Sequence, residues 1–455
     1  MSILWRFRLS VVAFSALSAM ITVVLPAYCE EDAIRGTPGR SMLAAGIPSR
    51  MGGGNIMLGR DLQQAERQFR ALRAVGVGMC RFPVGKNDYW AQPEGRPHPE
   101  RHDALVLAAH RHGVRPIILF EFYTRWHGEI GDREQWRRVG RAYAQRFRPN
   151  SPFLKEHGIE DWGIDFFTAV NEPMWRDNNP TPIAPEAYAA ALEGLADGVH
   201  EVDPNLRVSP GGYIEGFLFQ NKNPYIKAVA PLFNSGKLYA VGIHRYWDVD
   251  WVPMEGTYRF SLQNQFDQVK RNAGITADVR FYTDEVNFKK RKVTEEQAAV
   301  GFLTALWDAL GVVGDQGQPV AEFVFPWNIF HTTERDEHYG LCTQLDPWTP
   351  TARGEVLQLV TRLTQGLDFV ALDPRDRGEL ILEGGGRKLW VWQNRPHWTD
   401  RPGSNDTITD LPAGARRLEI HGWDGLRRSI DLAGQRSVTL EGLAENETLM
   451  FLAIP

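Results

Sequence analysis

The sequence predicts an α/β protein: a (β/α)8 barrel followed by a small C-terminal antiparallel β-sandwich. Three observations carry this. Strand-like and helix-like segments alternate for some three hundred residues, the first turn lacks a dinucleotide-binding glycine pattern, and the last ninety residues switch to short alternating runs. The expected organisation is residues 1–29 as signal peptide or membrane anchor, 30–367 as the barrel and 368–455 as the sandwich.

Leu43–Ser49 is the candidate first strand, followed by the glycine-rich loop Met51-Gly52-Gly53-Gly54-Asn55. Helical spacing over Arg60–Val75 puts Leu62, Ala65, Phe69, Leu72 and Val75 on one face. Further strands are expected at Val77–Val84, Val114–Tyr123, the run around Asp165–Val170, Arg207–Ile214, Leu238–Trp247, Asp278–Phe288 and Val320–Phe330. The helices between and after them are expected at Arg101–His112, Arg133–Phe147, Pro185–Val202, Asn223–Phe233, Ser261–Ala273, Thr294–Leu310 and Thr351–Gln365. Beyond Asp368 the runs Glu379–Glu383, Lys388–Gln393, Arg417–His421, Arg428–Leu432, Ser437–Leu440 and Thr448–Ile454 alternate and are separated by turn residues. Trp390, Trp392, Trp398 and Trp423 in this part read as aromatic core, with a carbohydrate-binding face as the alternative.

Composition is that of a globular protein, with 43% hydrophobic and 24% charged residues. A net charge of −5 without a basic run argues against a nucleic-acid partner. Arg6 and Arg8 precede an uncharged stretch, Leu9–Leu25, and then a polar exit. The expected location is therefore outside the cytoplasm, periplasmic or secreted, with a membrane reached only through an uncleaved N-terminal anchor. The three cysteines form no disulfide framework: Cys80 and Cys342 read as small apolar residues. No Cys/His spacing suggests a metal, no cofactor is expected, and His110 and His112 read as solvent-facing.

The central stretch is Asp165-Phe166-Phe167-Thr168-Ala169-Val170-Asn171-Glu172-Pro173. A buried apolar run stops at proline, which leaves Glu172 half-desolvated at a strand end, where burial raises a carboxyl pKa. A second β-rich run ends in Asp284-Glu285. In such barrels functional groups gather at the C-terminal strand ends, which here collects Arg81, Asn171, Glu172, His244, Tyr246, Glu285 and Trp327. Two opposed carboxylates, with no Ser or Cys nucleophile beside a His, suit hydrolysis of a glycosidic bond. Trp90, Trp126, Trp175, Trp247 and Trp251 fall after strand ends and together suggest an elongated sugar-binding cleft, although singly each reads as a packed anchor. Strand alternation counted from Glu285 turns Asp284 to the opposite face.

Asn171-Glu172-Pro173, His244-Arg245-Tyr246, Glu285 and Trp327, in that order on strands four, six, seven and eight, resemble glycoside hydrolases of clan A. Family 39 looks nearest and family 5 second. Family 5 often carries a His near the end of strand three, where this chain has Phe120-Glu121-Phe122-Tyr123, which leaves Glu121 as a substrate contact or an ion-pair member. The resemblance implies a retaining β-glycosidase acting on a poly- or oligosaccharide, bacterial exopolysaccharide being one candidate. It implies Glu172 as general acid/base, Glu285 as nucleophile and Asn171 on the sugar 2-hydroxyl. Tyr246 would donate to Glu285, Arg81 would keep Glu285 ionised, and Trp327 would form the floor, with His244, Trp175 and Trp247 also in the binding site. The sequence leaves two alternatives open: a non-catalytic carbohydrate-binding barrel, and a transglycosylase in polysaccharide export. Arg81 paired with a buried acid and His244 as a core histidine are the plain readings of those two residues.

Overall fold

The computed structural model describes residues 46–55, 62–90, 95–214, 223–247, 262–288, 290, 293–329, 339–373, 379–394, 405–444 and 447–455. The expected signal or anchor, together with Trp251 and Trp398, lies outside them. Among the described residues no helix is long and apolar enough to cross a membrane.

Eight parallel strands form the barrel: β1 (Gly52–Asn55), β2 (Met79–Gly85), β3 (Arg115–Glu121), β4 (Phe166–Ala169), β5 (Arg207–Pro210), β6 (Ala240–Trp247), β7 (Arg280–Phe288) and β8 (Ala321–Pro326). The first five pair in order, and so do the last three. Tyr213–Ile214, beyond β5, pairs with β6, and a bridge from Met51 to Val324 joins the two edges. The longer helices around the barrel are α1 (Leu62–Val75), α2 (Asp103–Arg111), α3 (Arg133–Phe147), α4 (Pro185–His200), α5 (Pro224–Asn234), α6 (Leu262–Ala273), α7 (Glu295–Leu310) and α8 (Ala352–Thr364). Their ends follow from capping chemistry. Asp132 with Gln135 and Thr294 with Gln297 form capping boxes at α3 and α7, and proline occupies the first turn of α4 and α5.

Met79, Ile117, Phe166, Ala240, Tyr282, Phe323 and Phe325 fill the barrel interior. Because strand side chains alternate, these residues set which later positions face inward: Arg81 on β2, Glu121 on β3, His244 and Tyr246 on β6, Asp284 on β7. The opposite faces pack on the helices.

The first strand differs from the expectation. Ile47–Arg50 is a 3-10 turn with Pro48 at its start, and β1 is the glycine run itself. A Cβ at Gly52 would lie 2.5 Å from the Phe325 ring, and one at Gly54 2.7 Å from the Trp327 ring. Only glycine lets the strand pass these aromatics, so the residues that permit it carry no β-propensity signal.

The C-terminal part is antiparallel: β9 (Asp368–Asp373), β10 (Glu379–Gly384), β11 (Arg387–Asn394), β12 (Asp406–Ile408), β13 (Arg417–Gly422), β14 (Gly425–Asp431), β15 (Val438–Leu440) and β16 (Glu447–Ile454). Six strands form one sheet, ordered β9-β10-β11-β16-β13-β14, and β12 with β15 makes a ribbon. Leu380, Leu382, Leu389, Val391, Met450 and Leu452 belong to the same core as the barrel helices. Their neighbours Trp390, Trp392, Leu449, Phe451 and Ala453 share a second core with Ile408 and Leu440 of the ribbon. Trp390 and Trp392 are therefore core residues, and Trp423 packs half-buried against the first core. Cys80 and Cys342 are buried and unbridged. His110 and His112 are half-buried, each with one ring contact, to Trp162 at 4.8 Å and to Phe69 at 5.8 Å.

Candidate active site

The chain leaves β4 through an unusual backbone. Val170 and Glu172 take φ of 61° and 45° on either side of Asn171, the left-handed region that costs a non-glycine residue on the order of 1–3 kcal/mol. The neighbouring strand is cut to fit. Glu172 N donates to Gly212 O at 3.0 Å, and a Cβ at Gly211 would lie 2.6 Å from Val170 O. A Cβ at Gly212 would overlap the His244 imidazole. Gly212 thus makes the space that lets His244 reach Glu172, whose Oε1 lies 2.7 Å from His244 Nδ1.

On β7 the alternation breaks. Gly242 and Arg245 of β6 pair with Tyr282 and Val286, so four steps on β7 oppose three on β6. From the other side Thr283 and Val286 pair with Val324 and Pro326, three steps against two. Both neighbours report one extra residue on β7, a β-bulge at the end where strands meet loops. Asp284 points inward by alternation from Tyr282, and the bulge turns Glu285 inward as well. This corrects the expectation that Asp284 faces away: counting from Glu285 assumed a regular strand.

Arg81 holds the pair. It reaches Asp284 Oδ2 at 2.6 Å through one guanidinium nitrogen and Glu285 Oε1 at 2.8 Å through the other. Tyr246 donates to the second oxygen, Glu285 Oε2, at 2.5 Å. His244 Nε2 lies 2.9 Å from Asp284 Oδ1, and its Nδ1 is 3.5 Å from Glu285 Oε2 besides Glu172. A continuous polar chain, Arg81–Asp284–His244–Glu172, crosses the mouth. A carboxylate oxygen of Glu172 and one of Glu285 lie within 4.8 Å of each other.

The electrostatics follow from burial and neighbours. Burial raises the Glu172 carboxyl above its ordinary range, and His244 only partly opposes this. Burial alone would strip the His244 imidazole of its proton. Glu285, Asp284 and Glu172 outweigh that and hold its pKa well above the usual histidine value. Asp284 runs the other way: burial opposes its charge, but Arg81 and His244 pull it below the normal carboxylate range. Glu172, His244 and Glu285 are close enough to hold a cation. Both His244 nitrogens already meet carboxylates, Nδ1 that of Glu172 and Nε2 that of Asp284, so the same groups read as an ion-pair network.

The strand-end residues Arg81, Asn171, Glu172, His244, Tyr246, Glu285 and Trp327 come together in one site. Trp327 lies under Arg81, 5.5 Å from the guanidinium carbon to the ring centroid. Trp175, beyond Glu172, is 39% exposed and Trp126 is 63% exposed. Trp90 is instead buried against Trp136, a packed anchor rather than part of a cleft. The backbone of Trp247 ends β6, while its side chain lies outside the described residues. Asp284 and Gly212 were missed as site residues. The signal for Asp284 lay in alternation counted from Tyr282, and Gly212 had none beyond being the second of two glycines after a strand. Tyr123 also joins the site, 3.2 Å from Asn171 Nδ2.

No family model matches the sequence, and no curated protein matches it either. Solved structures do share its shape. A family 39 glycoside hydrolase from Bacteroides cellulosilyticus aligns at 15% identity and TM-score 0.54, covering 89% of this chain and 81% of that one. A glucosidase from Croceicoccus marinus aligns at 13% identity and TM-score 0.62, covering 92% and 98%. A family 51 α-L-arabinofuranosidase from Bifidobacterium longum aligns at 11% identity and TM-score 0.56, again covering 92% and 98%. These likenesses fix the fold: a (β/α)8 barrel with an antiparallel β domain, the shape of glycoside hydrolases from several families.

Proposed function

We propose that the protein is a retaining β-glycosidase that cleaves a poly- or oligosaccharide by double displacement. The observation that carries this is the approach of Glu172 and Glu285 carboxylate oxygens to within 4.8 Å across the barrel mouth. Retaining enzymes hold their carboxyls about 5–5.5 Å apart, whereas inverting enzymes need about 6.5–9.5 Å to admit water. In the first step Glu172 gives its proton to the glycosidic oxygen as Glu285 attacks the anomeric carbon. The leaving group departs with that proton, and the sugar is esterified to Glu285. In the second step the Glu172 carboxylate takes a proton from water, whose oxygen attacks the anomeric carbon and frees Glu285.

The neighbours serve these roles. Burial keeps Glu172 protonated to higher pH, as an acid catalyst requires. Arg81 and Tyr246 fix both oxygens of Glu285. Asn171, next to Glu172, is the residue proposed for the sugar 2-hydroxyl; its Oδ1 has no protein partner among the described residues, and its Nδ2 donates to Tyr123. Trp327 offers a flat floor and Trp175 extends the surface, with Trp247 a further candidate contact from its place in the sequence alone. The motif order resembles that of family 39, bacterial exopolysaccharide is a candidate substrate, and Arg6, Arg8 and the apolar stretch after them support export.

The test is turnover of a panel of aryl β-glycosides, β-glucans, mannans, xylans and exopolysaccharides, with covalent labelling by 2-deoxy-2-fluoro glycosides. A label on the peptide containing Glu285 is expected. The absence of both turnover and labelling across the panel would remove the proposal.

A further inference from the structure

One inward strand end is not used by the reaction above. Phe120 packs edge-on against Tyr143 and Trp136 of α3, so the next residue, Glu121, turns the other way, into the barrel mouth. Glu121 is half-buried, with Arg81, Tyr123 and Glu285 around its carboxyl; burial raises that carboxyl above its ordinary range, and Arg81 and Tyr123 oppose this. Tyr123 in turn meets Asn171, so Glu121 belongs to the wall beside the residue proposed for the sugar 2-hydroxyl. Arg81 favours its charge but is shared with Asp284 and Glu285, which its two guanidinium ends also serve.

With Glu172 holding the proton it delivers to the leaving group, the mouth carries, among the described residues, three acids, Glu121, Asp284 and Glu285, against two cations, Arg81 and His244. A ring seated between Glu172 and Glu285 meets hydrogen-bond acceptors and surplus negative charge. Hydroxyl and ammonium groups satisfy such a wall. A carboxylate on the ring does not: a like charge about 5 Å away in a partly buried site costs about a hundredfold in binding.

Building on the glycosidase reading, we infer that Glu121 is a specificity-determining residue that selects a neutral or basic sugar, and rejects a uronic acid, at the subsite next to the cleaved bond. The carboxylate receives ring hydroxyls, which it binds more strongly than a neutral acceptor would, and repels a ring carboxylate by the same charge.

The test uses the full chain and Glu121→Gln with matched p-nitrophenyl β-glucoside, β-glucosaminide and β-glucuronide. It also uses the binding of isofagomine, a basic sugar mimic, and of its uronic acid counterpart. Wild type should favour the neutral and amino glycosides over the glucuronide by about a hundredfold or more in kcat/KM. Glu121→Gln should lose activity on the neutral glycoside and narrow that preference at least tenfold. Equal wild-type turnover of the glucuronide, or a preference unchanged in the variant, would overturn the inference. If no glycoside is turned over but wild type binds isofagomine in preference to the uronic mimic and Glu121→Gln erases that preference, the glycosidase reading fails while the selectivity stands. If binding is indifferent to Glu121 too, both fail.

Discussion

Strands β7 and β16 are of similar length and both rich in apolar residues, yet they are built on opposite plans. In β16 alternation is strict: Met450 and Leu452 enter the core shared with the barrel helices, Leu449, Phe451 and Ala453 the core under the ribbon. Every residue from Leu449 to Ala453 is buried and apolar, and the register with β11 runs unbroken from Lys388–Ala453 to Asn394–Glu447. In β7 one extra residue interrupts the register on both sides, and two adjacent acids turn to the same arginine. A regular strand spends each side chain on packing, whereas a bulged one can present consecutive charges to a cavity. Regularity marks the scaffold and its breakdown marks the site.

The contrast is sharpest when each strand loses one side chain. Glu285→Ala should lower kcat/KM by about 10⁴-fold or more while the protein stays folded, because no leaving group compensates for a missing nucleophile. Phe451→Ala should do the reverse, costing about 3–5 kcal/mol of stability with the chemistry intact. Activity assays beside denaturant melts read both. An inactive Phe451→Ala that melts like wild type would break the comparison.

Glu172→Ala should cost less with a good leaving group. An aryl glycoside of an acidic phenol should still give a measurable glycosylation step, and added azide should yield the β-glycosyl azide. With Glu285→Ala, azide should instead yield the α-azide, since it then occupies the place of the nucleophile. The anomeric configuration of the two products separates the roles. The same azide anomer from both variants would contradict the assignment.

Asp284→Asn is the intermediate case. It should reduce kcat/KM about 10–100-fold and move the alkaline limb of the pH profile upward. The sign follows from the chain of partners: Asp284 supports the proton on His244, and cationic His244 favours the carboxylate of Glu172. With His244 more readily neutral, Glu172 keeps its proton to higher pH. A lower melting temperature with an unmoved pH profile would make Asp284 merely structural.

The smallest effect on chemistry is expected from removing residues 368–455. Val391, Met450 and Leu452 share a core with the barrel helices, and Thr304 of α7 pairs with Thr448 at 2.9 Å, so the barrel should aggregate or melt earlier. A truncated protein that stays soluble and folded but loses only polysaccharide affinity would make the C-terminal sheet a binding domain.

What the sequence made legible follows the same divide. Regular elements could be read directly: Arg133–Phe147 is the helix expected, residue for residue, and six C-terminal strands overlap the runs where alternation put them, while β9 and β12 were not expected. The strand-end residues Glu172, Glu285, His244, Tyr246 and Arg81 could be collected because buried runs that end in polar groups are local patterns. Irregular features could not. The Gly52–Asn55 strand exists because Phe325 and Trp327, far along the chain, leave no room for a Cβ. The inward turn of both Asp284 and Glu285 depends on the pairing of three strands, and Gly212 matters only through the imidazole beside it. Such features arise from contacts between distant segments, and residue order alone carries no trace of them.

The central claim, a covalent intermediate on Glu285 assisted by Glu172, is tested most directly by the stereochemistry of the first product. Proton NMR of an early hydrolysis mixture from a β-linked substrate should show the β-anomer before mutarotation equilibrates it. An initial α-anomer would mean single displacement by water and would contradict the account.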